Sequence, residues 1–131
     1  MKIRKRLIVM LTIMSMLIMS VNCFAATKKY SSCGYLGPAD YTFSTIEMHQ
    51  AYETRVEYSA RSNMRVEVIS IQNMMCTRKD GSYETFSDIT KYNVFNVWQG
   101  GKFDDSPLTN AIAKYKITSS NFGSYSTVVG L

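Results

Sequence analysis

The sequence predicts an all-β protein, a small antiparallel β-sandwich or barrel-like domain built around a three-strand meander and preceded by a cleaved signal peptide. Three observations lead there. Alternation of apolar and polar residues at period two is the recurring signal, and no window sustains the helical spacing of apolar residues. Side chains that suit a pleated surface abound, with nine Tyr and six Phe against only two Pro. The start of the chain differs in composition from the rest, carrying a basic stretch followed by an apolar run.

That first segment reads as an export signal. Lys2, Arg4, Lys5 and Arg6 precede an apolar stretch from Leu7 to Val21, and Cys23-Phe24-Ala25 places small residues where a signal peptidase reads them. Cleavage is expected between Ala25 and Ala26. The apolar run of about 15 residues is shorter than the roughly 20 that span a bilayer, so membrane contact is expected only through the leader before cleavage. Acylation of Cys23 is disfavoured, because Asn22 stands where a lipoprotein signal carries a small residue. Residues 26–131 are then a single secreted domain, extracellular or associated with the cell surface.

Removal of the leader changes the charge. The whole chain is +5, whereas the mature segment keeps eleven Lys and Arg against ten Asp and Glu, a net +1. A phosphate-binding surface needs a clustered positive excess, so no nucleic-acid partner is expected. Two cysteines remain, Cys33 and Cys76. An even count in an exported chain predicts one disulfide, with a stabilisation of about 4 kcal/mol in the chain-entropy account. Two distant Cys and the single His49 do not make a four-ligand zinc set.

Within the domain, residues 26–32 read as a loose tail and Tyr41 to Met48 as a strand. Tyr52 to Ala60 alternates clearly, with Tyr52, Val56, Tyr58 and Ala60 on one face and Glu53, Arg55, Glu57 and Ser59 on the other. Asp80-Gly81 is a preferred type I′ pair. It would set Lys79 opposite Ser82, Met75 opposite Phe86, Ile71 opposite Thr90 and Ile69 opposite Tyr92, with the buried face switching near Val66. A three-residue loop at Arg61-Ser62-Asn63, with Asn63 left-handed, would pair Ala60 with Met64 and complete a meander over residues 51–98. Beyond it, Gln99-Gly100-Gly101 reads as a turn and Phe103 to Pro107 as a loop. Asn110 to Ser119 reads as a strand with Ala111, Ala113, Tyr115 and Ile117 inward, and Tyr125 to Leu131 as the last strand.

The chemistry-bearing residues are sparse. His49 is the only histidine, and although Glu47 would share its strand face, no G-x-S-x-G elbow accompanies it. Asp104-Asp105-Ser106 lacks the ligand periodicity of a calcium loop and reads as a solvated acidic turn. No catalytic residue, cofactor or metal is expected. Tyr35, Tyr83, Trp98 and Phe103 lie near chain ends or turns and are the candidate ligand-contact aromatics, since exposed rings on a β scaffold can stack on sugar faces or anchor a protein. Trp98, sharing parity with Tyr92 and Val94, is itself expected to face the core.

The resulting expectation is an exported non-enzymatic β domain that binds a glycan or protein at the cell surface or outside the cell. The alternative is a secreted antagonist such as a bacteriocin-like toxin or protease inhibitor, and the least favoured reading is a small hydrolase. The absence of an N-x-S/T sequon from the mature segment is compatible with a bacterial origin.

Overall fold

The computed structural model describes residues 26–50, 53–104 and 108–130. The leader, Cys23, Ala25 of the cleavage pair, Tyr52 and the Asp105-Ser106 part of the acidic turn lie outside the described residues. So do the side chains of Ala26, Phe103 and Asp104, although their backbones are in strands.

The described residues form a single antiparallel sheet that curls into a nearly closed, barrel-like shape. Its strands are β1 (Ala26–Leu36), β2 (Ala39–Gln50), β3 (Glu53–Arg78), β4 (Tyr83–Phe86), β5 (Ile89–Asp104), β6 (Leu108–Ser119) and β7 (Gly123–Gly130). The 26-residue β3 is the spine. Along one edge it pairs first with β2, Gln50 opposite Glu53 through Tyr41 opposite Ser62, and then with β6, Val68 opposite Thr118 through Arg78 opposite Leu108. Along the other edge it pairs with β5 and then β4. β1 extends the sheet beyond β2, and β7 extends it beyond β6.

So long a strand stays in one fold only by bending. Between Arg61 and Val66 the pairing with β5 shifts register, with Arg61 opposite Asn96 but Val66 opposite Val94. A second irregularity lies between Gln72 and Met75, where Asn73 adopts φ 51° and its amide donates to Asp88 Oδ1 at 2.8 Å. Bulges of this kind kink a strand and raise its twist. The consequence is visible in one bond: the Tyr58 hydroxyl donates to the Met75 carbonyl at 2.9 Å. Seventeen residues of extended chain would span roughly 55 Å, so β3 has folded back until its two halves face each other.

The interior follows. Val56, Tyr58 and Ala60 point inward from the first half of β3, Ile69 and Ile71 from the middle, and Met74 and Cys76 from the end. Phe43 of β2 stacks on Tyr115 of β6 at 5.2 Å between centroids, and Tyr41 stacks on Tyr125 of β7 at 5.1 Å. A hydroxyl chain joins the same strands. Tyr115 Oη lies 2.7 Å from the Ser44 carbonyl and 2.8 Å from Thr45 Oγ1, which lies 3.0 Å from the Val129 carbonyl.

Much of the outline expected from sequence is present. Tyr41 to Met48 lies within β2, Ala111, Ala113, Tyr115 and Ile117 are buried on β6, and β7 follows a turn after Ser119. Val56, Tyr58 and Ala60 face the core.

Other expectations are overturned. Residues 26–32 are no loose tail, since β1 pairs with β2 from Ala26 opposite His49 onward. Its turn uses Gly37 at φ 60° followed by Pro38, the order a type II′ turn requires. The Asp80-Gly81 turn is real but wider. The Gly81 amide donates to the Arg78 carbonyl, the Arg78 amide donates to the Ser82 carbonyl, and Gly81 sits at φ 88°. This is the three-residue loop with a glycine bulge. It slips every pairing by one: Arg78 faces Ser82, Met74 faces Phe86 and Ser70 faces Thr90.

There is no loop at Arg61-Ser62-Asn63 and hence no three-strand meander, because β3 continues without interruption through those residues. Asn63 instead accepts the Asp40 amide on its side chain at 3.0 Å, and Asn73 and Asn93 hold the left-handed positions. Gln99-Gly100-Gly101 belongs to β5 opposite Tyr58, Glu57 and Val56, and Phe103 is likewise in that strand. No Cys33–Cys76 disulfide forms: both thiols are free, Cys33 outward on β1 and Cys76 inward on β3. Parity counts thiols but does not know which face of a strand each one occupies.

Candidate ligand-binding face

The outward surface of β1, β2, the first half of β3 and the second half of β5 is set by register. Ser31, Ser44, Ser59 and Trp98 lie side by side across the four strands. On one side of that row lie Thr42, Arg61 and Asn96, and on the other Ile46, Glu57 and Gly100. Small serines lead up to the one tryptophan, so the indole stands above its surroundings. Trp98 is 67% exposed, although Val97 beside it is buried.

Two clefts flank this ring. One, of about 370 Å³, is walled by Glu57, Ser59, Arg61, Asn96 and Trp98. The other, of about 330 Å³, is walled by Trp98, Glu57, Met48, Arg55, Gly100 and Lys102. Gly100 comes so close to β3 that a Cβ there would lie 2.3 Å from the Val56 carbonyl oxygen. This position therefore excludes any side chain, and the cleft floor beside the indole stays open. Trp98 and Glu57 form the ridge common to both clefts.

The charges on the two sides differ. Glu53 is paired with Arg55, and its second oxygen is 3.8 Å from Lys102 Nζ. The Arg55 hydrogen bond, with the charges of Arg55 and Lys102, holds the Glu53 carboxyl below the usual range. One carboxylate thus serves two cations in the second cleft. Arg61 and Glu57 make no ion pair among the described residues and are available to a ligand.

The other expected contacts are scattered. Tyr35 is exposed on the same outward face, but four residues along β1 and three strands away, which is about 20 Å at ordinary strand spacings. Tyr83 is exposed at the start of β4, beside the Arg78–Ser82 hairpin in the other half of the molecule. The Phe103 backbone pairs with Thr54, and its side chain lies outside the described residues. Trp98, expected in the core, is on the surface. It shares the outward side with Tyr92, as their parity implies, but that side is not the core: the one-residue hairpin slip sets Tyr92 opposite Val68 and not opposite the fully buried Ile69.

Exposed Tyr92, Met64 and Phe122 were also not anticipated. They border a groove of about 600 Å³ at the bend of β3. Its polar and aromatic groups are largely committed to the fold. Arg65 lies 4.8 Å over the Phe95 ring and donates to the Asn93 carbonyl, and the Phe122 ring covers Gly37. The only sequence signal for these exposures is Asn at the left-handed positions, a residue that tolerates them better than most.

The catalytic options resolve in detail. Glu47 and His49 do share the inward face of β2, but Glu47 accepts the Leu108 amide at 3.0 Å and pairs with Lys28 at 3.5 Å. His49 Nδ1 is 2.8 Å from Thr54 Oγ1. Burial, with the Glu84 charge, pushes the Cys76 thiol up to about 11, so it stays protonated at neutral pH. Among the described residues no group of three or more His, Cys, Asp or Glu could hold a metal, and no helix is long and apolar enough to cross a membrane. Set against known proteins, the chain matches no family model, no curated protein and no solved structure.

Proposed function

We propose that the chain is an exported, non-enzymatic β domain that binds an extracellular partner at the cell surface through the outward face around Trp98. The observation that carries this reading is the two-thirds exposed tryptophan with a cleft on either side. Burying a large apolar side chain stabilises a fold by roughly 1.5–3 kcal/mol. Trp98 forgoes most of that on the edge strand β5, one residue from the buried Val97. An aromatic ring beside convergent, uncommitted polar groups is the usual make-up of a binding site, and here those groups are Glu57, Arg61 and Asn96.

The exported protein should be retained on cell-envelope preparations of the organism that makes it. Trp98→Ala should weaken retention at least about tenfold, as expected of a central aromatic contact. His49→Ala should leave it unchanged. Equal retention of Trp98→Ala and the unaltered protein would sink the proposal.

A further inference from the structure

We infer that the ligand is a glycan of two or more sugar units that straddles Trp98, one unit against each face of the indole. This rests on the binding role proposed above and narrows it to one class of partner. The first reason is geometric. Trp98 is a wall of both clefts, which lie on opposite sides of it along the β3–β5 pair, toward Arg61 and Asn96 in one direction and toward Gly100 and Lys102 in the other. A ligand confined to one side would leave the second cleft and the second ring face unused. The electron-rich faces of an indole attract the C–H-bearing side of a pyranose. Gly100, barred from carrying a side chain by the Val56 carbonyl, adds no side chain to the cleft it lines together with Trp98.

The second reason is the chemistry of the walls. A protein-binding surface of ordinary size buries about 800 Å² per partner around a core depleted of charge. Here the ring is ringed by Glu57, Arg61, Arg55 and Lys102. Such a surround suits a ligand that presents hydroxyl groups at its edges and an apolar face to the ring. Glu57, on the ridge between the clefts, accepts hydroxyl hydrogens from both units. Arg61 and Asn96 donate to or accept from the first unit, and Lys102 donates to the second. Ser59, 7% exposed, lines the first cleft with a side chain too short to fill it.

The test compares exported protein with its Trp98→Ala, Arg61→Ala and Lys102→Ala variants on cell envelopes left intact, digested with protease, or treated with periodate to cleave vicinal diols. Wall glycan, released and sized, is then titrated while the emission of the single tryptophan is followed. The expected result has four parts. Trp98-dependent retention survives protease and is lost after periodate. Fragments of two or more sugars shift the indole emission to the blue. Single sugars bind at least about tenfold more weakly than those fragments. Arg61→Ala and Lys102→Ala each weaken binding by about tenfold, while circular dichroism shows both variants folded.

Retention lost to protease and untouched by periodate would overturn the glycan and leave a protein-binding role at Trp98. Loss of affinity in only one of the two cation variants, or equal affinity for single sugars, would overturn the straddling geometry. Retention with no dependence on Trp98 under any treatment would overturn both this inference and the binding face beneath it.

Discussion

Cys33 stands on the outward face of β1 and Cys76, 1% exposed, on the inward face of β3 between Ala111 and Glu84. With burial raising its pKa to about 11, Cys76 holds only about one part in a thousand as thiolate at pH 8, and the thiolate is the species that reacts. In residues 26–131, which carry two of the chain's three cysteines, an aromatic disulfide reagent at pH 8 should therefore titrate one thiol quickly in the folded state and the second only after denaturant. Cys33→Ser should abolish the fast phase. Two fast thiols, or none before reduction, would contradict the free and unequal pair. Trp98 was set inward from sequence through its parity with Tyr92, and Tyr92 through a pairing with buried Ile69 that the one-residue hairpin slip replaces with Val68. The two breaks between Tyr92 and Trp98, at Asn93 and between Arg61 and Val66, cancel, so both rings are exposed.

The strands differ in how much of them could be read. β2, β7 and β6 from Asn110 onward are regular, so period-two patterning located them and assigned Tyr115 and Ile117 to the interior. β3 and β5 were legible only in pieces, because their face changes are made by bulges, and a bulge leaves the same local residues as a turn. Ser62-Asn63 has turn-forming composition, yet a long-range bond from the Asp40 amide to Asn63 Oδ1 and pairing to β2 keep the chain extended there. The 78–82 hairpin shows how small the decisive difference is. Gly81 at φ 88° supplies the left-handed residue that converts an expected two-residue turn into a three-residue one. A Cβ on Gly81 would meet no atom within 4 Å, so the cost of Gly81→Ala is backbone strain alone, about 1–2 kcal/mol. Urea unfolding should show that loss as a lower midpoint with unchanged slope. An unaltered midpoint would mean the hairpin accepts another turn type. The candidate site sits on these least legible strands, which is why its aromatic centre could be nominated from sequence but not placed.

The barrel closes around polar groups as well as rings, and this sets how the whole molecule responds to alkali. Tyr58 and Tyr115 are completely buried, and burial raises both phenol pKa values well above their ordinary 10.0. The Cys76 thiol, ordinarily at 9.0, is raised to about 11. All three are neutral in the folded state. In the unfolded chain the thiol loses its proton from about pH 9 and the phenols from about pH 10. Above those values the folded protein binds more protons than the unfolded one, so stability falls as pH rises. It is unaffected by these groups below about pH 8. Each group held neutral should steepen the loss by roughly 1.4 kcal/mol per pH unit, beginning at its unfolded pKa and ending at its folded one. Tyr58 links the two halves of β3, and Tyr115 joins β6 to β2, so ionising either one requires the closed sheet to open. Tyr58→Phe removes one titrating group together with its bond to Met75. This variant should be less stable at pH 7 by about 1–3 kcal/mol, yet lose stability between pH 10 and 11.5 with a slope shallower by about one proton. Urea titrations across that range, read by far-ultraviolet circular dichroism, measure both quantities at once. A variant slope equal to that of the unaltered protein would show that the Tyr58 hydroxyl ionises without unfolding, and that the bent spine opens locally before the barrel does.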